Sequence, residues 1–442
     1  MVMRWTLFGI LALLAVGCSD PQDPTARVER VLLLGIDQLS HERVDALVER
    51  GELPNFARLA REGARGVAIA PDPLLRAMLW STVLTGKGVA QHEVTADLVQ
   101  LGADTRCLAP SSMRAVRNLF QVAGLEGVPL AAVGFPGTWP AETVNGFLVS
   151  DGTAPSRWTE TVEHNFERVG GFMDTFPPAL YPEIEPMLRG VDELERELVS
   201  RFFVFQETEY RMLYDAPLGS IYRLENPPKD FAITLQRDRS HLDIFRYLVD
   251  RYSPRLAAVH LGLLGAIQPA YWPFSYPELY QTPADSRRRF GDSVDEAYRW
   301  LDEQIGLLMD SLPPRSVVCI VSEQGYSNGP DPRDPESGKL VSLPSNEASI
   351  FLWGQGVRRG FDLGRVSTAD TTPTLLRLLD AAVGDDMEGQ VLERALTDEW
   401  KDAHRERFIS SHDENWDQSL RYPPRADSET TPSASEADEE TP

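Results

Sequence analysis

The sequence predicts an α/β fold with a mostly parallel sheet, helices on both of its faces and an inserted, largely helical cap. Short continuous apolar runs such as VLLLGI at Val31–Ile36 are typical of strands that are buried on both faces. These runs alternate with segments of helical periodicity, which is typical of parallel sheets. From Ala154 to about Lys229 this alternation gives way to aromatic and acidic residues at helical spacing, so we interpret residues 154–229 as a cap outside the sheet.

The N-terminal segment predicts a lipoprotein signal peptide over residues 1–18. Arg4 supplies a positive start, and the apolar run Leu7–Val16 is too short to span a bilayer. The segment ends LAVGC, which resembles a bacterial lipobox and implies that Cys18 carries lipid. Ser19 after it resembles the pattern for outer-membrane sorting, so we expect a lipid anchor in the bacterial cell envelope, at the outer rather than the inner membrane. The alternative is an ordinary cleaved signal peptide.

Residues 19–30 are a polar tether, and the α/β domain then follows in two halves. The first half, residues 31–153, contains predicted strands Val31–Asp37, Arg65–Ala70, Leu130–Phe135 and Gly146–Asp151, with helices His41–Arg50, Pro54–Gly63 and Arg76–Thr85. The second half, residues 230–410, contains strands Arg255–Gly262, Ser316–Val321 and Ala348–Trp353, with helices His241–Asp250, Ser286–Ser311 and Thr371–Leu379. Residues 411–442 form an acidic tail that we expect to be disordered.

Composition excludes one class of partner. The chain has 442 residues, with 43 Lys and Arg against 67 Asp and Glu, for a formal net charge of −24. Such a surface argues against nucleic-acid binding, because phosphate backbones recruit basic patches. Of the two cysteines after Cys18, Cys319 lies in a strand and is interpreted as a small buried apolar residue. A disulfide with Cys107 is unsupported by the sequence.

Asp37 follows the first strand directly. In parallel α/β sheets, sites lie beyond the carboxyl ends of the strands, so this carboxylate is a candidate metal ligand or catalytic group. An N-cap of the following helix is an equally good interpretation of Asp37 by itself.

Four segments resemble the type I phosphodiesterase/nucleotide pyrophosphatase family of the alkaline phosphatase superfamily. They are VLLLGID with LPNFARLAREGARG (Leu53–Gly66), WSTVLTGKGVAQH (Trp80–His92), VGFPGTWPAETVNGFLVSD (Val133–Asp151) and STADTTPTLLRLLDAAVGDDMEGQVL (Ser367–Leu392). The resemblance implies an alkaline-phosphatase-like fold. It also implies a centre in which two metal ions hold a phosphate and activate a Thr or Ser nucleophile.

At four of the family's functional positions, this sequence keeps a side chain with an oxygen donor. Asp37 matches the family's first aspartate, and Ser81 matches its nucleophile. Glu323 and Gln324 match the Asp and His of the family's Ser-Asp-His-Gly segment. Because all four side chains offer oxygen donors, they suit one Ca²⁺, Mg²⁺ or Mn²⁺ rather than zinc, if any metal binds.

Three other ligand positions are lost. Gly265 and Pro269 match the family's Asp-x-x-x-His, and Ser345 lies near its last His. None of the seven histidines is interpreted as a ligand. Arg76, one turn before Ser81, is interpreted as a surface arginine.

Three functional hypotheses follow. The first is a catalytically inactive member of the family that acts as an anchored binding or scaffolding protein, with a small anionic ligand. The second is a residual one-metal hydrolase of phosphate or sulfate esters that uses Ser81. The third is a structural lipoprotein whose cap docks a protein through aromatics such as Trp158, Phe172 and Phe203.

Overall fold

The computed structural model describes residue 23 and residues 25–100, 106–154, 174–215 and 226–416. Cys18, Trp158 and Phe172 lie outside these residues, as do most of the tether and the tail from residue 417. In the described part of the chain, no helix is both long and apolar enough to cross a membrane.

The strands of the described residues are Arg30–Ile36 (β1), Ala64–Ile69 (β2), Leu98–Gln100 (β3), Arg106–Leu108 (β4), Leu130–Val133 (β5), Gly146–Val149 (β6), Thr175–Phe176 (β7), Leu256–Leu261 (β8), Ser316–Val321 (β9), Gly325–Pro330 (β10), Leu340–Ser345 (β11), Glu347–Gly354 (β12), Phe361–Ser367 (β13), Val383–Gly384 (β14) and Phe408–Ile409 (β15). Nine of them form a mostly parallel sheet at the centre of the protein, in the order β13-β2-β12-β9-β1-β8-β5-β6-β7. Neighbouring strands run parallel except where β12 joins β2 and β9 and where β7 joins β6. The remaining strands form the two-stranded sheets β3-β4, β10-β11 and β14-β15.

Helices cover both faces of this sheet. Leu32 and Leu34 of β1 join an apolar cluster with residues of the helix Pro227–Tyr252, whereas Leu33 joins a second cluster with residues of the helix Arg76–Thr85. Every residue of β1 is therefore buried, which explains its continuous apolar sequence. The α-helices are His41–Glu49, Pro54–Glu62, Arg76–Thr85, Val89–His92, Leu119–Leu125, Tyr181–Ile184, Arg196–Phe202, Glu207–Tyr214, Pro227–Tyr252, Leu263–Ser275, Pro277–Tyr280, Ala284–Phe290, Ser293–Asp310, Thr371–Leu378 and Asp398–Ala403.

Two predicted helices differ from the structure. The segment predicted as one helix, Ser286–Ser311, is two helices separated at Gly291. The helix predicted over His241–Asp250 begins fourteen residues earlier, at Pro227, so the boundary predicted at Lys229 falls within its first turn. Pro227 and Pro228 suit the first turn of a helix because its amides have no partner within the helix.

The described part of the predicted cap packs onto the sheet domain. Thr175 and Phe176 form β7, so this region contributes an edge strand, contrary to the expectation that it lies outside the sheet. Phe202 and Phe203 are buried and contact Phe231, with ring centroids 5.0 and 4.8 Å apart. These two aromatics belong to the main core. The docking role predicted for this region stays a prediction.

The register of the sheet brings three chain segments together at its carboxyl edge. Ile36 of β1 pairs with Leu261 of β8, and Gly35 pairs with Val321 of β9. Asp37 therefore emerges beside Gly262 on one side and beside Ser322 and the residues after it on the other.

Candidate functional site

Asp37 is buried, and both of its carboxylate oxygens accept hydrogen bonds from side chains. Oδ1 accepts from Nε1 of Trp80 and Nε2 of His260, each at 2.9 Å. Oδ2 accepts from Nε of Arg76, also at 2.9 Å. Burial by itself raises the pKa of Asp37, but the Arg76 guanidinium and the His260 ring hold it well below its usual range. Asp37 is therefore a charged acceptor whose partners are already present.

Arg76 is partly buried in the crevice beside Asp37, which corrects its interpretation as a surface arginine. It is the first residue of the helix Arg76–Thr85, and its side chain is 19% exposed. Arg76 and Trp80 are four residues apart, so both lie on the face of the helix that meets Asp37. Burial disfavours the guanidinium cation, but the Asp37 carboxylate raises the pKa of Arg76. A permanent cation thus lies where the resemblance placed a metal ion.

His260, interpreted from the sequence as a packed strand residue, is fully buried in β8. Its ring meets Trp80 edge-on, with centroids 4.9 Å apart. Burial lowers the pKa of His260 to about 4, so the ring is neutral at pH 7 and donates its Nε2–H to Asp37. Its contact with Asp37 was not predicted.

Arg237 brings a second cation to the same edge. Its Nη2 lies 3.1 Å from Oδ1 of Asp238, whose carboxylate also accepts the backbone N–H groups of Gly262 and Leu263 at 2.8–3.0 Å. Glycine at 262 is required here, because a Cβ would lie 1.8 Å from Nη2 of Arg237. No pattern in the sequence pointed to Arg237, because an adjacent Arg-Asp pair in a helix is usually exposed to solvent.

Glu323 and Gln324, predicted as ligands, lie at this edge as well. Glu323 is fully buried, and its Oε2 accepts the N–H of Gln38 at 3.3 Å. Burial, reinforced by the nearby charge of Asp37, raises the pKa of Glu323 well above its usual range, so this carboxyl holds its proton. Oε1 of Glu323 and Oε1 of Gln324 have no hydrogen-bond partner among the described residues.

Ser81, the predicted nucleophile, is turned away from this group. It is 4% exposed, and its hydroxyl donates to the carbonyl of Ala77 at 2.7 Å, a bond typical of serine within a helix. Ser81 follows Trp80, so its side chain leaves the helix on a neighbouring face. It does not line the crevice beside Asp37.

Of the three lost ligand positions, two line the crevice and one does not. Gly265 and Pro269 line the crevice, and a Cβ at 265 would lie 3.2 Å from Cβ of Asp37. Ser345 instead ends the hairpin strand β11, where its hydroxyl accepts the N–H of Glu347 at 3.2 Å. Its neighbour Pro344 lines the crevice in its place.

Together these residues surround a crevice of about 320 Å³ at the carboxyl edge of the sheet. The polar side chains that line it include Asp37, Gln38, Arg76, Arg237, Glu323 and Gln324. Sites in parallel α/β folds lie at this edge, which makes the crevice the candidate site.

The sequence matches the family described as type I phosphodiesterase / nucleotide pyrophosphatase over residues 31–419. The chain belongs to this family. The match spans both predicted halves of the domain and confirms the resemblance drawn from the four segments. No curated protein matches the sequence.

Solved structures of alkaline phosphatase PafA are similar in fold to this chain. A variant of alkaline phosphatase PafA is 11% identical, with a TM-score of 0.51 over 84% of this chain and 99% of that chain. Wild-type PafA is 10% identical, with a TM-score of 0.50 over the same shares. Human ectonucleotide pyrophosphatase / phosphodiesterase 5 is 9% identical, with a TM-score of 0.46 over 83% of this chain and 100% of that chain. The likeness to PafA confirms the predicted fold and shows the fold alone.

The type I phosphodiesterase family typically depends on divalent metal ions, but this donor set does not fit a two-metal centre. Across the described ranges, no three His, Cys, Asp or Glu side chains are grouped so that they could hold a metal ion. The oxygens of Asp37 are engaged by Arg76, Trp80 and His260, and Gly265 offers no side-chain donor. A cation at Asp37 would have to displace the Arg76 guanidinium.

Proposed function

We propose that this protein is a family member that binds its ligand without hydrolysing it, and that it is held at a membrane surface through Cys18. The observation that supports the loss of hydrolysis is the contact between Arg76 and Asp37. Ester hydrolysis in this family needs a metal ion that polarises the nucleophile and stabilises the leaving oxygen. Here the aspartate that would coordinate such an ion is paired with a guanidinium instead.

The position of Ser81 supports the same proposal. An attacking hydroxyl must reach the ester and must lose its proton to a metal or a base. The Ser81 hydroxyl is buried and bonded to a backbone carbonyl of its own helix. His260 is the nearest imidazole to Asp37. Its ring packs against Trp80 and its Nε2–H donates to Asp37, so Nε2 is not available as a base for Ser81.

The proposal is tested by measuring turnover of nitrophenyl phosphate, bis-nitrophenyl phosphate and nitrophenyl sulfate by the full-length protein in detergent. Each assay is run with EDTA and with Ca²⁺, Mg²⁺, Mn²⁺ or Zn²⁺, beside the matched variant Ser81→Ala. We expect the wild-type rate to equal that of Ser81→Ala in every condition. Metal-dependent turnover that is lost in Ser81→Ala would instead support the one-metal hydrolase.

The membrane anchor is a separate part of the proposal, supported by the LAVGC segment at Leu14–Cys18. In bacteria that express the protein, the wild type should fractionate with membranes and incorporate labelled fatty acid. The variant Cys18→Ala should incorporate none. Equal labelling of the two proteins would contradict the anchor.

A further inference from the structure

Two arginines in the crevice have hydrogen-bond donors left over. Arg76 uses Nε for Asp37, and Arg237 uses Nε and Nη2 for Asp238. Nη1 and Nη2 of Arg76, and Nη1 of Arg237, have no acceptor among the described residues. Arg237 is more than nine-tenths buried, so its guanidinium is kept from bulk water on most sides. Both residues line the crevice, so these unused donors are available to a ligand that enters it.

The carboxylates of Asp37 and Asp238, near these arginines, already accept hydrogen bonds within the protein. Asp37 accepts three side-chain bonds, and Asp238 accepts two backbone amides besides Arg237. Two other acids line the crevice. Asp97 accepts the N–H of Ala77 at 2.6 Å, and Glu323 holds its proton because burial raises its pKa well above the usual range, so it offers no anionic acceptor. The donors that remain free therefore outnumber the free anionic acceptors, and the crevice is suited to an incoming anion.

Guanidinium groups select oxyanions by geometry. Their planar forks match two oxygens of a phosphate or sulfate, and such charge-assisted bonds are stronger than neutral ones. Thr234, also buried in the wall of the crevice, adds a hydroxyl. The volume of about 320 Å³ exceeds what a tetrahedral anion needs, and Leu74, Ala266 and Pro344 supply apolar wall for the rest of a ligand.

We infer that Arg76 and Arg237 form a metal-independent clamp for a tetrahedral oxyanion, the phosphate or sulfate end of the ligand. This inference rests on the proposed function and names the ligand class of the same site. The two guanidinium groups supply the positive charge that divalent ions supply in the family's two-metal centre. Because the cations are part of the chain, binding needs no dissociable cofactor.

The test is isothermal titration of the full-length protein in detergent with inorganic phosphate, sulfate or phenyl phosphate, each in the presence and in the absence of EDTA. We expect saturable binding of one anion per chain, with an affinity that EDTA leaves unchanged. Comparison of the three titrants identifies which oxyanion is preferred and whether the apolar wall adds affinity. Absence of saturable binding for all three, or binding abolished by EDTA, would overturn the clamp.

Matched variants locate the site. Arg237→Gln should weaken binding at least about tenfold, because a charge-assisted contact is lost. Arg237→Lys keeps the positive charge but lacks the planar guanidinium, so it should bind with intermediate affinity. This variant also tests the clamp if Arg237→Gln does not fold. Arg365→Gln, an exposed arginine that pairs with Glu347 away from the crevice, is the control and should bind as the wild type does. Equal binding by Arg237→Lys and the wild type would also count against the clamp.

The two proposals fail separately. Turnover that depends on Ser81 would overturn the loss of hydrolysis but would leave EDTA-resistant anion binding intact. Absence of binding together with absence of turnover would overturn the clamp alone.

Discussion

Nε of Arg76 lies 2.9 Å from Oδ2 of Asp37, and both side chains are largely buried. The pair joins the start of the helix Arg76–Thr85 to the end of the central strand β1. Removing one partner of a buried charge pair strongly destabilises the folded protein, because the remaining charge is left without compensation in a region of low dielectric.

The first prediction concerns stability. Arg76→Met should lower the free energy of unfolding by about 3 to 5 kcal/mol, because Asp37 would stay charged and buried. The double variant Arg76→Met with Asp37→Asn should recover part of that loss, which denaturant unfolding measures. Arg365→Met, at a side chain that is 61% exposed, is the control and should change stability by less than about 0.5 kcal/mol. Equal stabilities of Arg76→Met and Arg365→Met would contradict the role of the pair.

The second prediction concerns metals. Ca²⁺, Mg²⁺, Mn²⁺ or Zn²⁺ should leave the melting temperature of the wild type within about 1 °C, because a ligand stabilises only if it binds the folded state. In Arg76→Met, Asp37 is released beside Glu323 and Gln324, so a hard cation such as Ca²⁺ should raise the melting temperature measurably. A saturable metal-induced rise in the wild type that is lost in Asp37→Asn would show that cations displace Arg76.

The third prediction concerns Gly262, which precedes the helix Leu263–Ser275. Gly262→Ala places a Cβ 1.8 Å from Nη2 of Arg237, so the guanidinium must move. We expect a loss of about 1 to 3 kcal/mol in stability, as for other overpacked sites, together with weaker phosphate binding in titration. Gly306→Ala is the matched control, since it lies in the helix Ser293–Asp310, outside the crevice, and its Cβ would lie 2.7 Å from Nδ2 of Asn55. Retained phosphate affinity in Gly262→Ala would argue that Arg237 does not contact the anion.

The fourth prediction concerns pH. Burial, with the nearby Arg114 cation, lowers the pKa of His92 to about 4, against an ordinary value of 6.5. Between pH 6.5 and 4 the unfolded chain binds this proton and the folded chain does not, so stability falls as the pH falls through this window. The loss from His92 should reach roughly 2 kcal/mol at pH 5.

The variant His92→Gln isolates this contribution. Its amide can still donate to Oγ1 of Thr82, which lies 3.1 Å from Nε2 of His92, but it does not titrate. Unfolding free energies at pH 7 and pH 5 should therefore differ less in His92→Gln than in the wild type. His241 and His260, whose pKa values are also lowered by burial, affect both proteins alike. An unchanged pH 7 to pH 5 difference would contradict the assignment.

Most of the sheet could be predicted from the sequence, because strands buried on both faces leave continuous apolar runs such as Val31–Ile36 and Ser316–Val321. The limits of helices were less predictable. Helical periodicity continues across Gly291, where the chain breaks into two helices, and it is weak in the first half of Pro227–Tyr252, which is buried on several sides. Contacts with the rest of the fold decide both cases.

The presence of Asp37, Glu323 and Gln324 in one site could also be predicted, since each of them follows a strand that ends at the carboxyl edge of the sheet. Arg76 and Arg237 could not, because what distinguishes them is contact with Asp37 and Gly262, which lie far from them in the chain. The spacing of Arg76 and Trp80, four residues apart on one helix face, was the one available signal that both approach the same acid.

The tight fit around Asp37 has a consequence for any attempt to build a metal centre into this chain. The Cβ of an aspartate introduced at Gly265 would lie 3.2 Å from Cβ of Asp37 and would place a second carboxylate there while Arg76 remains. Removing Arg76 first would leave Asp37 buried and uncompensated. Each single substitution toward a two-metal centre thus gives a less stable protein, so such a centre could be introduced only by changing Arg76 and Gly265 together.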